Sequence, residues 1–220
     1  MDHTISNLLR IKEEINNNFS EINKNIKPKI IAVSKTFTKD KIIPLIDYGH
    51  IDFGENKVQE AITKWIEIKE KYKNLKLHMI GKLQTNKVKH AVKIFDYIHS
   101  VDNLKLAQKI SQEQIKLQKN IKLFIQINLG DEIQKSGVNV DNFEIFYKNC
   151  VQELKLNVIG IMCIPPNDKN TDKYFSKMNE LKKKFNLNEL SMGMSNDYLI
   201  AIKYGSTFLR IGSKIFGPRN

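Results

Sequence analysis

The chain has 220 residues, a formal net charge of +12 and a hydrophobic content of 41%, with 5 prolines, 10 glycines and 2 cysteines. This composition excludes a disordered or fibrous chain and a disulfide-stabilised scaffold. It also excludes a membrane-spanning protein, because the apolar runs fall far short of the roughly 20 residues that cross a bilayer. We therefore expect a compact globular protein with a single domain over residues 1–220.

The positive charge is typical of proteins that bind nucleic acids, because clustered cations displace the counterions of phosphates. Here almost all of the charge is lysine, and only Arg10, Arg210 and Arg219 are arginines. The lysines are spread over most predicted helices, without the interleaved aromatic side chains of single-strand binders. We interpret the charge as a solvated surface and keep a nucleic-acid or protein-interaction module as a minor alternative.

The N-terminal stretch, the two cysteines and two strand histidines give no signal for secretion, a disulfide or a metal site. The N-terminal stretch MDHTISNLLRIKEEI carries charges and lacks the uncharged core of a secretory signal, so we expect a cytoplasmic protein. Cys150 and Cys163 show no CxxC spacing, and His78 and His99 lie in predicted strands without a cluster of carboxylates or cysteines. These patterns predict reduced thiols, core histidines and no metal site.

An opening helix is predicted over residues 3–22, after which short apolar runs alternate with longer segments of helical period. The eight predicted strands are residues 30–34, 51–54, 77–81, 97–101, 122–129, 157–164, 189–193 and 207–212. Apolar stripes at helical spacing lie between them, namely Val58, Ala61, Ile62, Trp65, Ile68 and Tyr72, and Tyr174, Met178, Leu181 and Phe185. Each stripe predicts a helix face that packs on the core.

Eight strands that alternate with helices predict parallel pairing through right-handed crossovers. The predicted fold is α/β, a single (β/α)8 barrel of the TIM type with an extra N-terminal helix. An open, doubly wound parallel sheet is the alternative.

Polar residues follow the predicted strands at their carboxyl ends, where barrels of this class carry their functional sites. These residues are Lys35, Glu55, Asn56, Lys82, Gln84, Ser100, Asp102, Asn128, Ser195, Asn196, Arg210, Gly212 and Ser213. In a closed barrel they would converge on one mouth.

The last two strands end in segments that suit an anion. SMGMSND places Ser195 at the start of a helical segment, and RIGSKIFG places Gly212 and Ser213 after the final strand. Free backbone N–H groups, hydroxyl residues and a glycine that permits close approach form a phosphate cradle. The loops after strands seven and eight are the usual phosphate location in barrels.

Lys35 follows the first buried strand, across the predicted mouth from this cradle. An amine at a buried strand end can lose its proton by desolvation and attack an aldehyde. A phosphate site and an aldehyde-reactive amine together suggest pyridoxal phosphate, whose ring nitrogen could face Arg210. Taken singly, Lys35 is more simply a solvated strand end, Gly212 a turn residue and Ser195 a helix N-cap.

The motifs at these positions resemble a known family. IIAVSKT, DFGENKVQEA, HMIGKLQTNK, IHSVD, QINLGDEIQKSGV, GIMCIPP, LSMGMSND and GSTFLRIGSKIFGPR are similar, in order and spacing, to the pyridoxal phosphate homeostasis proteins. These are single-domain relatives of the alanine racemase N-terminal barrel. The resemblance runs from about residue 30 to residue 219.

The resemblance implies a role for each matching position. Lys35 would hold pyridoxal 5'-phosphate as a Schiff base, while Asn56 would line the pocket beside the ring. Arg210 would face the pyridine nitrogen, and Ser195, Gly212 and Ser213 would bind the phosphate. The chain departs from the family pattern at Lys57, where an aromatic residue is usual, and at Lys82, where a histidine is usual.

The resemblance implies intracellular homeostasis of the cofactor, with no catalytic residues and no established turnover. Racemases built on this barrel carry a second domain that provides the opposite acid/base, and only ten residues follow Arg210. We expect a monomer that binds this small-molecule cofactor, with pyridoxal phosphate-dependent enzymes as candidate recipients. The alternative is a weak pyridoxal phosphate-dependent amino-acid racemase or transaminase.

Overall fold

The computed structural model describes residues 2–19, 27–130 and 136–218. The strands are β1 (Lys29–Val33), β2 (Asp52–Glu55), β3 (Lys76–Met79), β4 (Tyr97–Val101), β5 (Lys122–Asn128), β6 (Val138–Asn139), β7 (Val158–Cys163), β8 (Glu189–Met194) and β9 (Phe208–Ile211). The α-helices are α1 (His3–Phe19), α2 (Lys39–Asp47), α3 (Val58–Lys71), α4 (Val88–Ile94), α5 (Leu104–Leu117), α6 (Phe143–Lys148), α7 (Thr171–Lys184), α8 (Tyr198–Lys203) and α9 (Ser213–Phe216). Residues 20–22 of the predicted first helix, and Arg219, lie outside the described residues.

The strands form one parallel sheet in the order β4-β3-β2-β1-β9-β8-β7-β5-β6, and an additional pairing of β4 with β5 closes it. The closed ring therefore has eight strands, and the two-residue β6 pairs with β5 beside it. This closure confirms the predicted barrel over the open sheet. All eight predicted strands are present with bounds that agree to within two residues, whereas β6 is too short to give a periodic signal.

The core has two parts. One side-chain cluster fills the barrel interior and comprises Ile31, Val33, Tyr97, Phe124, Met162 and Phe208. A larger cluster lies between the strands and the helices, where α3 buries Val58, Ala61, Trp65 and Ile68 as its stripe predicts. The face that α7 buries is Phe175, Met178 and Leu181, so Phe175 replaces Tyr174, the first residue of the predicted stripe, which is only partly buried.

The helix α1 lies outside the ring of strands and packs on the core through one apolar face. Leu8, Ile11 and Ile15 repeat at helical spacing and are all buried. Asn7 Nδ2 donates to the carbonyl of Ile215 at 3.0 Å and so ties α1 to α9.

Among the described helices, none is long and apolar enough to cross a membrane. Cys150 and Cys163 are buried free thiols, and burial raises the pKa of each to about 12.

Three buried histidines predict a loss of stability in mild acid. Burial lowers the pKa of His50 from 6.5 to about 4, and it also lowers the pKa of His78 and His99. As the pH falls, these histidines are therefore protonated at a higher pH in the unfolded chain than in the folded protein. The stability that they contribute above pH 6.5 is lost as the pH falls toward 4. The His50 shift alone corresponds to about 3 kcal/mol.

Urea unfolding between pH 4 and pH 7 checks this expectation with a matched pair of variants. His50→Gln keeps an N–H donor for the carbonyl of Asp52, 2.9 Å from Nε2 in the wild type, but cannot be protonated. We expect a shallower dependence of the unfolding free energy on pH in this variant. His90→Gln, at an exposed position, should follow the wild type. Burial raises the pKa of Glu55, so its protonation in acid favours the folded state, and this opposite contribution is the same in both variants. Identical slopes for the two variants would contradict the assignment.

Candidate functional site

A pocket of about 570 Å³ opens at the carboxyl ends of the strands. Its lining includes all six residues predicted to bind the cofactor, which are Lys35, Asn56, Ser195, Arg210, Gly212 and Ser213. The volume falls within the usual range for small-molecule sites. Residues from the two ends of the chain therefore meet because the ring closes β9 against β1.

A smaller pocket of about 340 Å³ adjoins the first and shares Asn56, Ile80, Ile164 and Pro166 with it. Lys82 and Gln126 also line this second space. The two departures from the family pattern differ in their surroundings. Lys82 is exposed at the smaller pocket, whereas Lys57 is exposed at the N-terminus of α3 and lines neither pocket.

One wall of the main pocket is apolar, and sequence reasoning missed it. Ile164, Pro165 and Pro166 follow β7, and Ile80 follows β3. Ile164 is 48% exposed and, together with Ile80 and the two prolines, presents apolar surface to the pocket. These residues sit at strand ends like the polar candidates, so the same positional rule could have found them.

Arg210 lies at the base of the main pocket on β9 and is only 4% exposed. One terminal nitrogen donates to Ser191 Oγ at 2.8 Å, and the other donates to the carbonyl of Cys163 at 2.8 Å. Burial lowers the pKa of Arg210, but a guanidinium starts so high that it keeps its charge at working pH. The pocket therefore has a fixed cation with an anchored orientation.

A chain of buried polar groups continues behind Arg210 through the barrel interior. Ser191 Oγ lies 2.9 Å from His99 Nδ1, His99 Nε2 lies 3.0 Å from His78 Nδ1, and His78 Nε2 lies 3.0 Å from Asp52 Oδ1. Both rings are fully buried, and burial lowers both pKa values, which favours neutral imidazoles. If each neutral ring carries its proton on Nε2, every hydrogen bond in the series from Ser191 to Asp52 has one donor and one acceptor. The predicted assignment of both histidines to the core is confirmed.

A tight turn places Ser195 between β8 and α8. Asp197 N donates to the carbonyl of Met194 at 3.1 Å, and the Asp197 carboxylate accepts from Met194 N in return. Ser195 Oγ lies 3.4 Å from Lys214 N in the first turn of α9. The segments after the last two strands are thus brought side by side, as the sequence predicts for a phosphate cradle.

Two glycines in this region serve different purposes. A Cβ on Gly81 would lie 2.4 Å from the carbonyl oxygen of Asn56, so glycine is needed there for close backbone approach. Gly212 has a φ of −114°, and a Cβ there would meet Val33 at an ordinary 3.4 Å. Neither backbone strain nor packing within the protein requires glycine at position 212. Gly212 lines the main pocket.

The pocket therefore combines an amine, an anchored guanidinium, an apolar wall and an end built of small polar residues. An amine can act as a counter-charge for an anion or as a nucleophile toward a carbonyl carbon. A flat, anionic ligand that bears a carbonyl group matches each of these parts.

Comparison with known proteins points to one family. A sequence model described as the alanine racemase N-terminal domain matches residues 12–220. The pyridoxal phosphate homeostasis protein of Aquifex aeolicus is 36% identical over 200 residues, which cover 87% of this chain and 87% of that protein. Its counterpart in Haemophilus influenzae is 35% identical, with coverages of 97% and 95%.

Solved structures agree with these relatives. PipY of Synechococcus elongatus PCC7942, solved with pyridoxal phosphate bound, is 33% identical with a TM-score of 0.81, and the match covers 94% of this chain and all of that one. Alanine racemase of Clostridium difficile, at 16% identity and a TM-score of 0.69, shares the fold over 99% of this chain and 57% of its own. The chain belongs to the alanine racemase N-terminal domain family and, within it, to the pyridoxal phosphate homeostasis proteins.

Proposed function

We propose that this protein binds pyridoxal 5'-phosphate in the main pocket and serves intracellular homeostasis of that cofactor. The observation that carries the proposal is the convergence of Lys35, Arg210, Ser195 and Gly212 on one pocket from three separate stretches of the chain. The related PipY structure, with pyridoxal phosphate bound, supports the same ligand.

The residues present fit each part of this ligand. Gly212, Ser195 and Ser213 suit the phosphate, because small residues allow close approach and the first N–H group of α9, that of Ser213, has no acceptor within the helix. The apolar wall around Ile164 and Pro166 suits the face of the ring. Arg210 suits the pyridine nitrogen, to which a guanidinium can donate but from which it cannot accept a proton.

Lys35 is the proposed point of covalent attachment. When bound, the cofactor supplies an aldehyde that condenses with an amine, forms a C=N bond and releases one water molecule. Lys35 would hold the cofactor through this bond, since it lines the pocket at the end of β1. It lies beside the segment after β9, the strand that pairs with β1, and not across the mouth from it as the sequence predicts. Asn56 follows the neighbouring strand β2 and lines the same wall.

The proposed role is storage and delivery without multiple turnovers. Proton exchange on both faces of an amino acid needs two positioned acid/base groups. Among the described lining residues the ionisable side chains are Lys35, Asp168, Asp197 and Arg210. Asp197 already accepts from Met194 N, and Asp168 accepts from Asn170 N and from the Tyr174 hydroxyl. None of these is a tyrosine or histidine poised opposite Lys35.

One experiment tests binding and turnover together. We expect the cofactor-free protein to take up about one equivalent of pyridoxal 5'-phosphate, seen as a new absorption band. The loaded protein, incubated with L-alanine and followed by chiral chromatography, should yield less than one D-alanine per protein. Failure to take up the cofactor would refute the binding role. Racemisation over many turnovers would favour the enzyme alternative, and a rate of about 1 per second or more would make the protein an ordinary racemase.

A further inference from the structure

A buried ammonium group lies behind the strand end that carries Lys35. Lys64, on the second turn of α3, has a side chain only 9% exposed. Its Nζ donates to three oxygens, the carbonyl of Ser34 at 2.8 Å, Glu55 Oε1 at 2.9 Å and Glu60 Oε1 at 2.9 Å. Three acceptors satisfy all three N–H groups of an ammonium.

The same cluster holds both chain neighbours of Lys35. On one side, Ser34 Oγ donates to Glu55 Oε1 at 2.8 Å, in addition to the bond from Lys64 to the Ser34 carbonyl. On the other side, Thr36 N donates to Glu60 Oε1 at 2.6 Å. These three bonds all lead to Lys64 or to a carboxylate that Lys64 binds, and they add to the backbone bonds of Ser34 with Gly54 and Phe37.

The backbone held in this way is strained. Thr36 has a φ of +68°, which places a β-branched residue in the left-handed region. Such a conformation costs on the order of 1–3 kcal/mol and persists only where surrounding contacts impose it. Two hydrogen bonds are available to impose it here, one from Thr36 N to Glu60 Oε1 and one from Phe37 N to the Ser34 carbonyl at 3.1 Å. Lys64 binds an acceptor in each of these bonds, namely Glu60 Oε1 and the Ser34 carbonyl, so both contacts of the turn lead to Lys64.

Stability alone does not account for this cluster. Glu55 is 0% exposed, and burial raises its pKa, so the ion pair with Lys64 carries a large desolvation cost. A buried pair of this kind is often no more stable than apolar residues of the same size. Glu55 Oε2 also has no hydrogen-bond partner within the described part of the chain. A geometric role explains the cluster better.

We propose that Lys64, through Glu55 and Glu60, positions Lys35 by clamping the strained turn at residues 34–36. Lys64 is a positioning residue, since it does not line the pocket. The clamp fixes the Cα of Lys35 relative to a ring held elsewhere by Arg210 and the segments after β8 and β9. This inference rests on the proposed function, because it assigns the clamp to the covalent step at Lys35.

Lys64→Met tests the clamp, with Lys69→Met as its matched control. Lys69 lies on the same helix and binds Asp96 at 2.7 Å and the carbonyl of Ile94 at 2.8 Å, residues that flank the opposite end of β4. In the cofactor-free protein, hydrogen exchange of the Thr36 amide should quicken about tenfold or more in Lys64→Met only. This measurement does not involve the cofactor.

The covalent step gives the second measurement. We expect Lys64→Met to slow the rise of the absorption band of the Lys35 adduct by about tenfold, while affinity for pyridoxine 5'-phosphate, which has no aldehyde, changes by less than about threefold. Lys69→Met should match the wild type in both. Bond formation at the wild-type rate in folded Lys64→Met would overturn the proposal, whatever the exchange of Thr36 shows.

A second variant guards against a failure to fold. Glu60 is partly exposed, with 26% of its side chain accessible, so Glu60→Ala removes the acceptor of Thr36 N at little cost to the core. It should quicken Thr36 exchange and slow bond formation, and wild-type values for both would overturn the clamp. If wild-type protein binds no pyridoxal 5'-phosphate, the proposed function fails, whereas the exchange measurement still reports on the turn.

Discussion

Lys35→Ala is expected to abolish covalent attachment of pyridoxal 5'-phosphate completely while leaving the fold intact. Lys35 follows β1 and is partly exposed at the pocket mouth, so its side chain contributes little to the core. Reduction of the loaded wild-type protein with borohydride should convert the C=N bond to a stable C–N bond. Peptide mass mapping should then place one pyridoxyl group on Lys35.

The chain offers two matched controls for this result. Lys82 lines the adjoining smaller pocket, and Lys57 is exposed at the start of α3. Lys57→Ala and Lys82→Ala should both keep the adduct on Lys35 at wild-type yield. An adduct on either of these lysines, with Lys35 unmodified in the wild type, would show that the reactive amine has been misassigned.

The architecture followed from the sequence because the barrel strands are short, apolar and regularly interrupted by helical stripes. Parallel strands such as β5 are buried on both faces and therefore appear as continuous apolar runs. Closure followed from their number, and the pairing of β4 with β5 confirms it. The end of each strand then gave the candidate residues, because a barrel gathers its strand ends at one mouth. Their binding roles stay predictions.

The contacts behind the pocket were beyond sequence reasoning for a physical reason. In the sequence, Lys64 looks like an ordinary surface lysine of an amphipathic helix. Only the structure shows that it is buried against Glu55. His78 and His99 read as isolated strand residues, although the closed ring brings them within hydrogen-bond distance of each other. Such contacts depend on the register between the neighbouring strands β3 and β4 and on how α3 packs on β2, and hydrophobic periodicity carries no information about either.

Arg210→Gln is expected to weaken the binding of pyridoxal 5'-phosphate by about 5- to 150-fold, the equivalent of roughly 1–3 kcal/mol for a lost charge-assisted hydrogen bond. Glutamine is shorter than arginine and cannot reach Ser191 Oγ and the Cys163 carbonyl with the same planar fork. The ring nitrogen would then lose a fixed cationic donor. Because Lys35 is untouched, the covalent adduct should still form at saturating cofactor.

Equilibrium titration of the cofactor-free proteins measures this effect, with Arg10→Gln as the matched control. Arg10 is an exposed arginine on α1 that pairs with Glu14 at 4.0 Å. Arg219, the other remaining arginine, lies outside the described residues. Equal affinities for wild type, Arg210→Gln and Arg10→Gln would show that Arg210 does not contact the ring.

A loss of affinity could also arise from a damaged barrel interior, and Ser191→Ala separates the two causes. This variant removes the hydroxyl that links Arg210 to His99 but keeps the guanidinium and its bond to the Cys163 carbonyl. If Arg210 acts by direct contact with the ring, Ser191→Ala should lose much less affinity than Arg210→Gln. Equal losses in the two variants would instead assign the effect to the buried series of hydrogen bonds from Ser191 to Asp52. Both substitutions remove the bond between Arg210 and Ser191, where this series begins.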